Sequence, residues 1–180
     1  MRRVLFSSVA LVFVVMLAGC TINHDFTFTI DKTYTIQDPT KLSYSINQVL
    51  DASASSSDFS KYASDLSSVE IQSATYTITR NAGGAGQTVS ATIMVSDANN
   101  ANQGTLATAP NVNIPASVGV ETPLNIDKTV GTNLGNWLKN SPYKANATLN
   151  ATTNTAPTDF DLKLTFHIKA TYSAGLFSLL

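Results

Sequence analysis

The chain predicts an all-β fold, an antiparallel β-sandwich with one or two short helices. Three observations predict it. Apolar and polar residues alternate with a period of two through most of the chain, which turns one side of each segment to a core and the other to water. Charged residues are only 13% of the 180, about half the ~25% usual in globular proteins, and Ser, Thr and Asn replace them, as suits strands with one wet face. Short polar or Pro-containing breaks separate the alternating runs.

The elements follow in order. Phe26, Phe28 and Ile30 point inward while Thr27 and Thr29 point outward, and Tyr34 and Ile36 continue the pattern until Asp38-Pro39 ends it. Residues 41–50 read as a strand bending near Asn47-Gln48. A helix is the alternative there, because Leu42, Ile46, Val49 and Leu50 also fit helical spacing. Residues 51–57 are a Ser/Ala-rich loop. Asp58 then caps a short helix over 59–66, with Phe59, Tyr62, Ala63 and Leu66 plugging one end of the sandwich.

Val69 and Ile71 share one parity and Ala74, Tyr76 and Ile78 the other, so a bulge is expected at Gln72-Ser73. A glycine-rich turn at 81–86 leads to the alternation of Val89, Ala91, Ile93 and Val95. Residues 69–80 and 88–96 therefore read as a hairpin. After a polar loop at 97–104 comes a weak strand at 105–108. Pro110, Pro115 and Pro123 make the next stretch edge-like, with a short strand at 122–127. Thr132 caps a helix carrying Leu134, Trp137 and Leu138. Residues 145–151 alternate, and the long run from Phe160 to Tyr172 has one continuously apolar face, which places it in the centre of a sheet. These last two runs read as a second hairpin. The architecture expected is immunoglobulin-like or fibronectin-like, without the immunoglobulin cysteine pair.

The leader is separate. Arg2 and Arg3 precede an apolar run over 4–16, and polar Thr21, Asn23, His24 and Asp25 follow the single cysteine, Cys20. The pattern is that of a secretory signal and falls short of the roughly 20 apolar residues of a spanning helix. Leu17-Ala18-Gly19-Cys20 resembles the lipobox of bacterial lipoproteins. The resemblance implies that the Cys20 thiol is lipidated and that residues 1–19 are removed. It implies an acylated tether over 20–24 and a location on the cell envelope, with the sandwich domain over 25–180. Thr21 in place of Asp after the cysteine implies the outer membrane of a Gram-negative host. Each buried acyl CH₂ contributes ~0.8 kcal/mol to such an anchor.

The net charge of −1, with no clustered basic face, argues against nucleic acid as a partner. His24 reads as a tether residue and His167 as part of a polar strand face, and their separation gives no metal-ligand spacing. No Gly-x-Ser-x-Gly elbow occurs, and Gly83-Gly84-Ala85-Gly86 lacks the Lys of a phosphate-binding loop. Residues 97–104 have a partial calcium-loop pattern, with Ala101 and Asn102 where a ligand and the turn glycine belong. Asp159 and Asp161 straddle Phe160 and read either as an acid/base pair or as a wetted strand face. Trp137 and Tyr143 are the candidate ligand patch, for stacking on a sugar or a protein partner, against the alternative that Trp137 plugs the core.

No cofactor or metal is implied. The function expected is a lipid-anchored envelope lipoprotein, non-enzymatic, acting as a binding or structural module. Its membrane contact is acylated Cys20, and its partner is an envelope protein or glycan. The alternative is a periplasmic carrier holding a lipid or other apolar ligand between the sheets. A hydrolase using Asp159 and Asp161 is the third reading.

Overall fold

The computed structural model describes residues 21–175; the leader and Cys20 lie outside them. The strands are β1 (Thr21–Asp38), β2 (Ser43–Asp51), β3 (Leu66–Asn81), β4 (Thr88–Asp97), β5 (Gly104–Asn113), β6 (Thr122–Pro123), β7 (Lys144–Thr153) and β8 (Thr158–Gly175). The helices are α1 (Ala52–Ser55), α2 (Ser57–Tyr62) and α3 (Lys128–Lys139). Sheet A has the order β1-β8-β3-β6 and sheet B the order β2-β7-β4-β5, with antiparallel pairing throughout. The all-β antiparallel sandwich predicted by the alternation is what forms. Each connection between successive strands passes from one sheet to the other except β4 to β5. That strand order is a jelly roll, eight strands wound as two Greek keys. It shares two-layer packing, not connectivity, with immunoglobulin-like domains.

The core lies between the sheets. Tyr34, Phe160 and Phe166 from sheet A and Leu149 and Ile93 from sheet B are at most 2% exposed. Full burial of a side chain of this size contributes about 1.5–3 kcal/mol. Tyr34 also bridges the layers, its hydroxyl donating to the Ala147 carbonyl at 3.1 Å, and burial pushes its phenol well above the usual range. β8 lies between β1 and β3, as its apolar face predicted.

Neither expected hairpin forms. β3 and β4 lie in different sheets, and so do β7 and β8. Alternation reports which side of a strand is buried, not which strand lies beside it, and a turn at the end of a sandwich joins layers as readily as neighbours. The bulge predicted at Gln72-Ser73 is present, as a register shift between Ile71 and Ser73 against β8. Residues 43–51 are a strand and not a helix, pairing with β7 without interruption, so the expected bend is absent from the ladder. β5 is longer than expected and tolerates Pro110 because it is an edge strand. β6 is reduced to two residues.

The helices start earlier than the pattern suggested. The 51–57 loop contains α1, capped by Asp51, and Ser56 caps α2 by accepting from the Phe59 N–H at 3.1 Å. A 3-10 turn at Ala63–Asp65 then leads into β3. Asp127, not Thr132, caps α3, its carboxylate accepting from the Val130 N–H at 2.9 Å. Gly131 and Gly135 hide this helix in the sequence, because glycine lowers helix propensity.

Residues 21–24, expected in a tether, form the first rungs of the β1–β8 ladder. Thr21 faces Gly175 and His24 faces Tyr172. Ile22 and His24 carry the inward parity of Phe26 and Phe28, so the strand simply extends. Among the described residues no helix is long and apolar enough to cross a membrane.

Candidate functional site

The outward side of sheet B is built by alternation. In β4 and β7 the side chains of Ala91, Ile93, Leu149 and Ala151 are buried, so Ser90, Thr92, Met94, Thr148, Asn150 and Thr152 point away from the core. Ser43, Ser45 and Asn47 extend this side on β2. The register sets Asn150 between Ser45 and Thr92, and Thr148 between Asn47 and Met94. The result is one row of hydroxyls and an amide, Ser45–Asn150–Thr92, beside a second, Asn47–Thr148–Met94, that ends on a thioether.

Two open depressions cut this side. One, of about 480 Å³, is lined by Ser43, Tyr44, Ser90, Thr92, Thr108, Pro110, Asn150 and Thr152 among others. The other, of about 210 Å³, is lined by Ser45, Met94, Gln103, Thr148 and Asn150 among others. Asn150 borders both. Thr148 Oγ1 donates to Asn47 Oδ1 at 3.2 Å, and Asn150 Nδ2 lies 3.3 Å from Met94 Sδ. The charged side chains of β2 and β7 lie together where β2 ends and β7 begins, and there Lys144 pairs with Asp51 at 3.1 Å. Partial burial works against the Asp51 carboxylate, but Ser53, the Ala54 N–H and Lys144 together hold it below the usual range. Beyond that pair the surface exchanges hydrogen bonds without stripping water from a charge, which is the costly step in polar recognition.

The outward side of sheet A is ionic. Lys169 pairs with Asp25 at 2.7 Å and Lys163 with Asp31 at 3.6 Å. Arg80 reaches Asp159 at 2.6 Å and Asp161 at 2.7 Å. The acid pair seen in the sequence is therefore joined by a shared cation that the sequence did not single out. The Arg80 guanidinium holds the Asp161 carboxyl below the usual range, which makes it a poor proton acceptor. His167 lies on this side, 3.9 Å from Glu121.

The remaining sequence candidates separate. Trp137 is half-buried and packed on the core. Tyr143 meets Phe59 edge-on at 5.8 Å, and no ring contact joins it to Trp137 among the described residues. In the 97–104 loop the Asp97 carboxylate accepts from the N–H groups of Asn99 and Ala101 and from Asn102 Nδ2, all at 2.9 Å. Its oxygens serve the turn, and these bonds, the one from Ala101 first, lower its pKa.

A third groove, of about 780 Å³, separates α3 from the first half of β3. Here α3 covers the sheet edge. Lys139 Nζ donates to the Ser67 carbonyl at 2.8 Å, and Gly135 lies so close that a Cβ there would sit 2.2 Å from the Val69 carbonyl oxygen. The three grooves all open to solvent.

No protein-family model matches the chain, and no curated protein matches it. Solved structures that it is similar to include the decameric BFDV capsid protein, at 13% identity over 83% of this chain and 99% of that one, with a TM-score of 0.42. Desmodium yellow mottle tymovirus is 12% identical over 86% of this chain and 89% of that one, at 0.33. Tobacco necrosis virus is 8% identical over 83% and 97%, at 0.36.

Proposed function

We propose that this protein is a lipoprotein of the cell envelope, moored by acylated Cys20, and that it acts without catalysis as a binding module for an uncharged glycan. The outer membrane is the location that Thr21 after the cysteine favours. The observation that carries the binding reading is the outward side of sheet B, where hydroxyl and amide side chains predominate beyond the Asp51–Lys144 pair, with Met94 and Val49 as the apolar members. An uncharged polyhydroxylated chain matches such a surface, because neither side must desolvate an ion. The ion pairing of Asp159 and Asp161 with Arg80 supports the non-catalytic part of the reading, since one cation engages both carboxylates.

Titration calorimetry of the full chain against neutral and acidic envelope oligosaccharides tests it. Binding is expected to the neutral ones, and Thr92→Lys or Asn150→Asp is expected to weaken it by about tenfold, a loss of about 1.4 kcal/mol. Preference for acidic sugars, or indifference to both substitutions, would refute the assignment of the binding surface. The anchor is tested separately: Cys20→Ser is expected to release the protein from sedimented membranes, and continued sedimentation with lipid attached would refute it.

A further inference from the structure

The sandwich is unequal at one end. Sheet A pairs β1 with β8 from Thr21↔Gly175 to Asp38↔Thr158, while in sheet B β2 pairs with β7 only over Ser43–Asp51. The start of β1 therefore runs past the sheet that should cover it. Burial records the change: Ile30, Tyr34 and Ile36 are at most 1% exposed, whereas Phe28, Phe26 and His24, on the same side of the strand, are only half-buried and Ile22 is 40% exposed.

What covers this overhang is aromatic. Tyr62, from the end of α2, stacks on Tyr172 at 3.9 Å with the planes 7° apart. Tyr172 also stacks on His24 at 5.4 Å, and Phe26 touches Tyr62 and Tyr172 at 6.5 and 6.3 Å. Lys61 is exposed and holds its Nζ 4.8 Å above the Tyr62 ring. Rings with one apolar body and one polar tip are the side chains enriched where hydrocarbon meets water.

Position supplies the occupant. β1 already runs as strand at Thr21, directly after Cys20. At about 3.3 Å per strand residue, His24 lies no more than ~13 Å along the chain from the acylated position. We infer that this aromatic end of the sandwich, which presents Ile22, His24 and Tyr62 over the buried Tyr172 ring with Lys61 beside them, seats directly on the lipid headgroups of the bilayer that holds Cys20. The inference rests on the acylation proposed above. The seat is apolar and hydrogen-bonding in character, so it needs no anionic lipid. It stands the molecule on its end and leaves the outward side of sheet B open to the surrounding space.

The test uses the full-length, lipidated protein in vesicles of phosphatidylethanolamine and phosphatidylglycerol that carry a headgroup spin label. Lys61→Cys and Val118→Cys proteins each bear a polarity-sensitive dye on the new thiol; Val118 is exposed beside the Pro115–Ser117 turn at the far end of the sandwich. Blue-shifted and quenched emission at position 61, with neither change at position 118, is the expected result. Flotation with the vesicles but no difference between the two positions would overturn the seat while leaving the anchor intact. Energy transfer between dyes at position 61 without quenching would assign this end to a second copy of the chain and also overturn it. Failure to float, with Cys20 unmodified by mass spectrometry, would overturn seat and anchor together.

Discussion

Sheet A and sheet B are made from the same alternation and finish as different surfaces. On sheet A the outward positions include Asp25, Asp31, Arg80, Asp159, Asp161, Lys163 and Lys169, all seven in ion pairs. On sheet B they carry mostly Ser, Thr and Asn, with Met94 and Val49 among them and one ion pair where β2 ends. The edges differ as well. α3 presses Gly135 and Lys139 against the β3 edge of sheet A, whereas β2 and β5 flank sheet B as its edge strands. Exposed ion pairs add little stability. The difference teaches that one alternation of buried and exposed positions can dress one layer with paired charges and leave the other almost free of them.

The edge contact offers the largest test of that contrast. Gly135→Ala is expected to destabilise by about 3 kcal/mol, since the new methyl meets backbone that cannot swing aside. Gly131→Ala on the same helix finds its nearest neighbour at 3.8 Å and is expected to stabilise by up to about 1 kcal/mol through helix propensity. Denaturant midpoints for the two variants should move in opposite directions; equal shifts would show that α3 does not clamp the edge of sheet A.

The link between the layers comes next. Tyr34→Phe removes the hydrogen bond to Ala147 and keeps the ring, so a loss of about 1 kcal/mol is expected, again read from a denaturant midpoint. A variant as stable as the parent would mean that packing alone joins the sheets.

The smallest effect is in acid. Asp25 is held low by Lys169, then Thr171, and Asp161 by Arg80. A depressed folded pKa gives stability that is present above the unfolded carboxylate value of about 4 and lost as pH falls through the folded value. Urea midpoints are therefore expected to hold steady down to the unfolded range and then decline, with Arg80→Met flattening the decline. Glycan binding on sheet B should stay level through the same titration until unfolding begins. Binding that falls before unfolding begins would show that a carboxylate takes part in it, contrary to the uncharged surface proposed.

Much of the fold was legible, and the failures have specific causes. Phe26, Phe28 and Ile30, or Phe160 to Tyr172, show their buried side by parity alone, and the change of parity between Ile71 and Ala74 revealed the bulge. The two expected hairpins failed because strand neighbours are chosen by long-range pairing that leaves no mark on local periodicity. The start of α3 was missed because Gly131 and Gly135 weaken the helical signal while serving close packing. Of the candidate binding residues, Trp137 and Tyr143 were conspicuous by type, and both pack against the core without a ring contact to each other among the described residues. The hydroxyl and amide rows were visible only as polar alternates of β2, β4 and β7.

The sequence alone determined which side of each strand is buried, how little charge the surface carries and that Cys20 sits in a lipobox-like setting, because each of these is local and survives in any arrangement of the strands. Only the tertiary structure decided which strands share a sheet, that Arg80 stands between Asp159 and Asp161, that Ser45, Asn150 and Thr92 align in one row, and that β1 begins where the lipid attachment is expected. Those facts depend on register between segments far apart in the chain, and register is settled by the packing of the whole core rather than by any one run of residues.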